Sequence, residues 1–188
     1  MLRTINSILA ILVFGLFVLH TSFNVPTLIW YTYNPWSGIF AEIMMVLMVV
    51  HALIGICLAI TAAIQRRKER TYLGLNLRTF TLMVTGILML VLTVIHFYSF
   101  GYTLPTGEYV INEPNIQMFL VNILFTVVVT VHLALGLENA SITFGMRTHA
   151  NKMPVRVIVY SIAGVVGAAG IIAYVIYYIP TILGVGGV

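Results

Sequence analysis

The chain has 188 residues, of which 61% are hydrophobic and 7% are charged, and its mean hydropathy of +1.06 lies far outside the range of soluble domains. This composition argues against a water-soluble enzyme. A net charge of +4 would suggest binding to nucleic acid in a soluble protein, but it does not carry that meaning in a chain this hydrophobic. We therefore expect an integral membrane protein whose surroundings are the lipid bilayer.

Five apolar runs are long enough to cross the hydrocarbon core as α-helices. Their uninterrupted hydrophobicity argues against a barrel, whose strands would alternate polar and apolar residues. The first run follows Arg3 as a signal peptide would, but no small-residue cleavage site follows, so we expect it to be helix one. We predict an all-α five-helix bundle forming one transmembrane domain, with helices at about 5–24, 38–64, 78–101, 115–139 and 154–180.

The basic residues are confined to one side of the predicted bundle. They lie before helix one, after helix two and after helix four: Arg3, Arg66, Arg67, Lys68, Arg70, Arg78, Arg147, Lys152 and Arg156. The positive-inside rule places these segments and the N-terminus in the cytoplasm and the C-terminus outside. The opposite segments carry Glu108 and Glu113 with an aromatic belt at Trp30, Tyr31, Tyr33 and Trp36. We expect a multi-pass protein of the cell inner (cytoplasmic) membrane.

Each of the first four predicted helices carries one histidine, at His20, His51, His96 and His132. An imidazole in hydrocarbon is costly unless it finds a partner. A hydrogen bond to a neighbouring helix satisfies a single such residue, but four of them, one per helix, favour a cofactor site. A proton relay would normally place Asp or Glu beside the histidines, whereas Glu42 and Glu138 lie near helix ends.

The four histidines fall into two levels. Counted from the prolines of the outer turns, His20 and His96 lie six and nine residues deep, whereas His51 and His132 lie sixteen and eighteen residues deep. At about 1.5 Å per residue the two levels differ by roughly 14 Å. When depth is counted instead from the cytoplasmic charges, the difference in depth between the two pairs is smaller. Two pairs at two depths suit two bis-histidine b-type haems, whereas a zinc site would need ligands converging at one depth.

The residues around these histidines follow a family pattern. They are His132 with Gly136-Leu137 and Phe144-Gly145 in helix four, Thr85-Gly86 ten residues before His96 in helix three, and His51-Ala52 with Gly55 in helix two. This pattern resembles the cytochrome b subunit of succinate:quinone oxidoreductases and quinol:fumarate reductases, in the single-chain, five-helix, two-haem form. The resemblance covers essentially the whole chain. Helix one departs from it, with Gly15 five residues before His20.

The resemblance implies two haem b groups, a distal outer one on His20 and His96 and a proximal inner one on His51 and His132. It also implies an FAD flavoprotein that interconverts succinate and fumarate, and an iron–sulfur subunit, both on the cytoplasmic face. Membrane quinone, with menaquinone favoured, would react at the outer side, where Glu42 is the candidate proton acceptor or donor. The chain itself would lack the dicarboxylate-converting site.

The glycines near the histidines fit that expectation. Gly55 and Gly136 each lie four residues past a predicted ligand, on the same helix face, where a missing side chain lets a flat macrocycle approach. Gly86, near the deeper level, is predicted to make room for the other haem. Close helix packing is the alternative for each of these glycines.

The remaining residues with reactive side chains receive plainer interpretations. We expect Cys57 to be a packing residue, Glu138 a helix-end carboxylate among cytoplasmic cations, and His149 a solvated or partner-contacting residue. Helix five provides no ligand, and its small residues are expected to pack the bundle or an interface of a higher oligomer. Two other functions stay open: a dihaem cytochrome b that anchors a different quinone-linked oxidoreductase, and a haemless membrane anchor or transporter.

Overall fold

The computed structural model describes residues 1–30, 34–69, 74–99, 101–103, 109–112 and 115–184. These residues form five helices and one antiparallel hairpin, namely α1 Leu2–Trp30, α2 Pro35–Glu69, α3 Gly74–Ser99, β1 Gly101–Thr103, β2 Tyr109–Ile111, α4 Ile116–Thr143 and α5 Lys152–Ile182. Each helix contains a segment long and apolar enough to span a membrane. The chain is therefore an all-helical, multi-pass membrane protein in its spanning part. The predicted belt residues Tyr31 and Tyr33 and the loop residues Glu108 and Glu113 lie outside the described residues.

The helices form two groups that meet along the bundle. Helix α1 packs mainly on α2, and α4 packs on both α3 and α5, while α1 also reaches α4 and α5. We call the end that holds the start of α1, the start of α3 and the α4–α5 connection the basic end, because it carries Arg3, Arg78, Arg147, Lys152 and Arg156. The opposite end, with the start of α2 and the β1–β2 pair, is the hairpin end.

Helix α1 extends past its predicted end, through Pro26 to Trp30. Proline is tolerated in membrane helices when hydroxyl side chains help to satisfy nearby backbone groups. Pro26 lacks the N–H that would bond to Ser22 O, and the nearby hydroxyls donate to other carbonyls, Thr27 Oγ1 to Phe23 O at 2.9 Å and Ser22 Oγ to Val18 O at 2.7 Å. Pro26 is thus not an outer turn, and the residue count that began at Pro26 placed His20 too near the end of its helix.

The other bounds differ by smaller amounts. Helix α2 begins at Pro35 and continues to Glu69, α3 ends at Ser99, and α4 and α5 extend to Thr143 and Ile182. The segment between the predicted third and fourth helices contains the pair β1–β2, with Tyr102 opposite Val110. These two strands are three residues long each, too short for an alternating pattern to predict them.

Gly145 terminates α4. Its φ of +69° lies in the left-handed region that favours glycine, directly after the cap residue Phe144. The tight turn lets the Arg147 backbone N–H donate to Ser141 O at 3.0 Å. The chain is thereby folded back, so that Arg147 faces the last turns of α4 before α5 begins.

Helix α5 packs on α4 through its small residues. A Cβ at Gly170 would lie 3.3 Å from Thr126 Cγ2, and a Cβ at Gly167 would run into the Thr130 side chain. The absence of side chains at these positions lets the two helices approach closely. The predicted packing role of the small residues in helix five is therefore observed within the bundle.

Candidate cofactor site

A cavity of about 1610 Å³ lies along the bundle, from Arg3 and Asn6 near the basic end to Asn24 and Asn112 near the hairpin end. A pocket for one small molecule typically measures about 300–1,000 Å³, so this volume exceeds that of a single-ligand site. The lining is mostly apolar, and it includes all four intramembrane histidines, His20, His51, His96 and His132.

His51 on α2 and His132 on α4 form one pair, with ring centroids 6.4 Å apart and ring planes at 85°. The Nδ1 atom of His51 lies 3.2 Å from Asn6 O, and that of His132 lies 3.0 Å from Thr85 Oγ1. The Thr85 hydroxyl donates its proton to Thr81 O at 2.7 Å, so its oxygen is left to accept from His132. Both Nδ1 atoms therefore carry a proton, and in a neutral imidazole the lone pair then lies on Nε2.

His20 on α1 and His96 on α3, which also line the cavity, form the second pair. His20 Nδ1 lies 3.0 Å from Ser37 O, and His96 Nδ1 lies 2.8 Å from Asn122 Oδ1. The His96 ring also packs on Phe125, at 4.8 Å between centroids. As in the first pair, each Nδ1 faces an oxygen that accepts its proton.

A side-chain amide approaches the second ring nitrogen of His20. The side-chain nitrogen of Asn24 lies 2.8 Å from His20 Nε2 and 3.1 Å from Nδ1. An amide N–H can only donate, so it occupies the Nε2 lone pair. A metal bound at His20 would have to displace Asn24, and this agrees with the departure of helix one from the family pattern.

The partner residues place the two pairs at different levels. On α1, Asn6 and His20 belong to different pairs and lie 14 residues apart, and on α4 Asn122 and His132 lie ten residues apart. At about 1.5 Å per residue these separations correspond to roughly 15 to 21 Å along the helices. The residue count from the sequence had predicted roughly 14 Å between the two levels.

The three glycines singled out from the sequence all line the cavity. A Cβ at Gly55 or Gly136 would meet no atom within 4 Å in the described part of the chain, so both border open space. A Cβ at Gly86 would lie 3.2 Å from His132 Cε1. Gly86 thus makes room for the His132 ring, and its expected role beside a haem stays a prediction.

Sequence reasoning missed the polar residues that hold His96. Asn122 is completely buried on α4, and its Nδ2 atom lies 3.3 Å from Ser99 Oγ and 3.1 Å from the Tyr178 hydroxyl on α5. The available signal was a single Asn within a long apolar helix, since a polar side chain there needs partners. Helix five therefore contributes to this site, although it was expected only to pack.

Glu138 forms a separate cluster at the basic end. Its fully buried carboxylate lies 2.8 Å from Arg78 Nη2 and 2.7 Å from Arg156 Nε, pairs with Arg147, and accepts from the Tyr160 hydroxyl at 2.8 Å. The prediction of a helix-end carboxylate among cations is consistent with these contacts. The structure adds that this carboxylate joins α3, α4 and α5.

The remaining singled-out residues are exposed in the chain. Glu42 lines the cavity and lies five residues beyond Ser37, the partner of His20. Cys57 is exposed in the single chain, so it does not pack in the interior of the bundle. His149 is exposed in the α4–α5 connection.

The chain was compared with protein-family models, curated proteins and solved structures, and none of them matches it. The functional conclusion therefore depends on the cavity and on the residues that line it.

Proposed function

We propose that the chain is a b-type cytochrome that holds two haems in a cell membrane and anchors a succinate:quinone oxidoreductase or quinol:fumarate reductase. His51 and His132 would hold one haem, and His20 and His96 the other. One observation carries the proposal: four histidines on four helices line one cavity as two pairs, each with Nδ1 hydrogen bonded to an oxygen.

The chemistry of the donor set fits iron. Histidines that bind metals usually donate their other ring N–H to a carbonyl or carboxylate, which fixes the ring and makes the ligating nitrogen more basic. In this chain the acceptors are Ser37 O, Asn6 O, Asn122 Oδ1 and Thr85 Oγ1. The Nε2 atom of each ring is accordingly the ligand nitrogen in this proposal.

The cavity wall also fits a large, partly polar ligand. Gly55 and Gly136 border open space four residues past His51 and His132, so a flat ring system can approach those helix backbones. Asn6 Oδ1 is buried without a hydrogen-bond partner in the described residues. Leaving an acceptor unsatisfied is costly, so a donor group of a ligand, or a water molecule, is favoured beside it.

Haems held by two histidines each would supply one-electron transfer. The residues of the chain would hold the ligand rings in place and set the environment of the haems. His20 and His51 hold their rings on backbone carbonyls, and the apolar lining excludes water and lowers the local dielectric. Both features tune a haem potential. The two levels together cover much of the roughly 30 Å hydrocarbon core.

The proposal gives each end of the bundle a different partner. The basic end would face the cytoplasm and receive the iron–sulfur subunit and the FAD flavoprotein, in agreement with its arginines. Quinone, with menaquinone favoured, would react near the hairpin end. There Glu42 can take up or release a proton at its carboxylate, because it is exposed and lines the cavity.

Reduced-minus-oxidised spectra of the purified full chain test the haem proposal. We expect two b-type haems per chain, with one lost in His132→Ala and the other lost in His96→Ala. His149→Ala is the matched control, because this fifth histidine is exposed outside the bundle, and it should retain both haems. Wild-type chain without a b-type α band would overturn the proposal and favour a haemless anchor or transporter.

The intact complex tests the partners and the quinone site. Succinate should reduce the haems, and Glu42→Gln should retain both haems while slowing quinone turnover. Haems that respond to neither succinate nor fumarate would favour an anchor for a different quinone-linked oxidoreductase. Unchanged quinone turnover in Glu42→Gln would exclude this carboxylate from the proton step.

A further inference from the structure

A small polar cluster surrounds His96 in the hairpin-end half of the bundle. It consists of Asn122 on α4, Ser99 at the end of α3 and Tyr178 on α5, which are 0%, 3% and 1% exposed. Buried polar groups of this kind require hydrogen bonds, because each unsatisfied one costs free energy. The cluster is therefore a set of fixed contacts whose donors and acceptors can be assigned one by one.

The assignment starts at Ser99. Its hydroxyl donates to His96 O at 2.7 Å, and a hydroxyl has one proton to give. Ser99 Oγ must then accept from Asn122, whose Nδ2 lies 3.3 Å away, while the Oδ1 atom is farther, at 3.5 Å. The Tyr178 hydroxyl lies 3.1 Å from the same Nδ2. The amide nitrogen of Asn122 thus faces Ser99 and Tyr178.

This orientation leaves Asn122 Oδ1 facing His96. The oxygen lies 2.8 Å from His96 Nδ1, and an amide oxygen can only accept. His96 must therefore carry its proton on Nδ1, and the neutral ring has its lone pair on Nε2. The tautomer of His96 follows from contacts that begin at a hydroxyl on α3 and include a tyrosine on α5.

We propose that Asn122, oriented by Ser99 and Tyr178, is the positioning residue of the hairpin-end site: it fixes the tautomer and ring orientation of His96 and sets the ligand strength of His96 Nε2. This inference rests on the proposed haem function. An acceptor at Nδ1 makes the opposite nitrogen more basic, and a more basic ligand stabilises oxidised iron. The acceptor at Asn122 therefore controls the reduction potential of one haem out of two.

The pair formed by His51 and His132 has its own acceptors. His132 donates to Thr85, which lies on α3 near the middle of the bundle, and Asn122 and His132 are ten residues apart on α4. A change at Asn122 should therefore act on one haem, and a change at Thr85 on the other. This separation provides a reciprocal control within the same chain.

The test is a redox titration of both haems, followed optically and by EPR, in the intact complex. Asn122→Leu removes the acceptor at similar size and should raise the potential of the His96 haem. Asn122→Asp provides a stronger acceptor and should lower it. We expect each change to be about tenfold in the reduction equilibrium, or about 59 mV for one electron, with the other haem unchanged.

Asn122→Leu could lose the His96 haem altogether. Two further variants therefore test the role of Asn122 without changing Asn122 itself. Tyr178→Phe leaves Oδ1 in place but loosens the amide, and it should shift the same potential in the direction of the Leu variant. Thr85→Val should move only the His132 haem. The proposal is supported if the potential of the His96 haem falls in Asn122→Asp and rises in Tyr178→Phe, while the potential of the other haem stays unchanged.

Other results would contradict the positioning role of Asn122. An unchanged potential of the His96 haem in Asn122→Asp, or equal shifts of both haems, would overturn the positioning role even if Asn122→Leu lost a haem. Failure of the haem function itself would appear earlier, as wild-type chain without haem. The two failures therefore cannot be confused.

Discussion

Glu138→Gln keeps the size of a buried side chain but removes the negative charge that three arginines share. Arg78, Arg147 and Arg156 each contact the carboxylate, and their side chains are 29%, 11% and 37% exposed. In the variant, the amide keeps one acceptor oxygen, while its NH₂ group faces guanidinium donors. Arg147, the least exposed of the three, loses its counter-charge with the least compensation from water.

Removing one partner of a buried ion pair costs about 3–5 kcal/mol. Arg78 and Arg156 remain partly solvated, and partial solvation weakens an ion pair, so we expect about 3 kcal/mol, at the lower end of that range. For a chain of this size, about 3 kcal/mol corresponds to a fall in Tm of about 6–12 °C.

Thermal unfolding of the detergent-solubilised chain measures this effect. Glu42→Gln is the matched control, because it makes the same chemical change at an exposed site and should alter stability by less than about 0.5 kcal/mol. Adding Arg147→Gln to Glu138→Gln should recover part of the loss, since it removes one uncompensated charge. Equal melting of the two glutamate variants would refute the reasoning that Glu138 holds the basic end together.

Two glycines give further predictions. Gly167→Ala should cost about 1–3 kcal/mol of overpacking against Thr130, and Thr130→Ala should restore most of it in the double variant, as read from thermal melting. Gly164→Ala, where a Cβ meets no described atom within 4 Å, is the control and should melt like the parent chain. The added methyl group of Gly86→Ala should press on the His132 ring. It should therefore shift the spectrum or the reduction potential of the haem proposed on His51 and His132, and leave the other haem unchanged. An unchanged haem would show that the ring does not depend on this space.

The sequence predicts the spanning helices well because hydrophobicity is a local property of each run. It predicts helix ends less well, and Pro26 shows why: whether a proline ends a membrane helix depends on its surroundings, and here α1 continues through Pro26 to Trp30. The pair β1–β2 escapes prediction for a related reason. Two three-residue strands depend on pairing with each other, which neither segment encodes alone.

Side-chain partners are harder to predict than helices because they depend on how the helices are rotated about their axes. The sequence marks His96 and Glu138 as costly in a membrane. It does not show that Glu138, and Asn122 as the partner of His96, would each bond a tyrosine on α5. Tyr178 and Tyr160 lie 18 residues apart on that helix, among other tyrosines that could have faced lipid. Only the packed bundle shows which of them complete a polar cluster.

The two polar clusters also explain how the proposed haems would be held. Asn122 connects α4 to α3 and α5 at one end, and Glu138 does so at the other. On the opposite side of the cavity, His20 on α1 bonds to the backbone of α2, and His51 on α2 bonds to the backbone of α1.

The bundle thus consists of two units, α1–α2 and α3–α5, each joined internally by its own polar contacts. Each proposed iron would take one histidine from each unit, His20 with His96 and His51 with His132. Binding of haem would therefore join the two units across the cavity, because neither unit holds both ligands of one site. In the proposed arrangement, bound haem would stabilise the packing of the units as well as carry electrons, since a ligand that binds only the assembled bundle favours assembly.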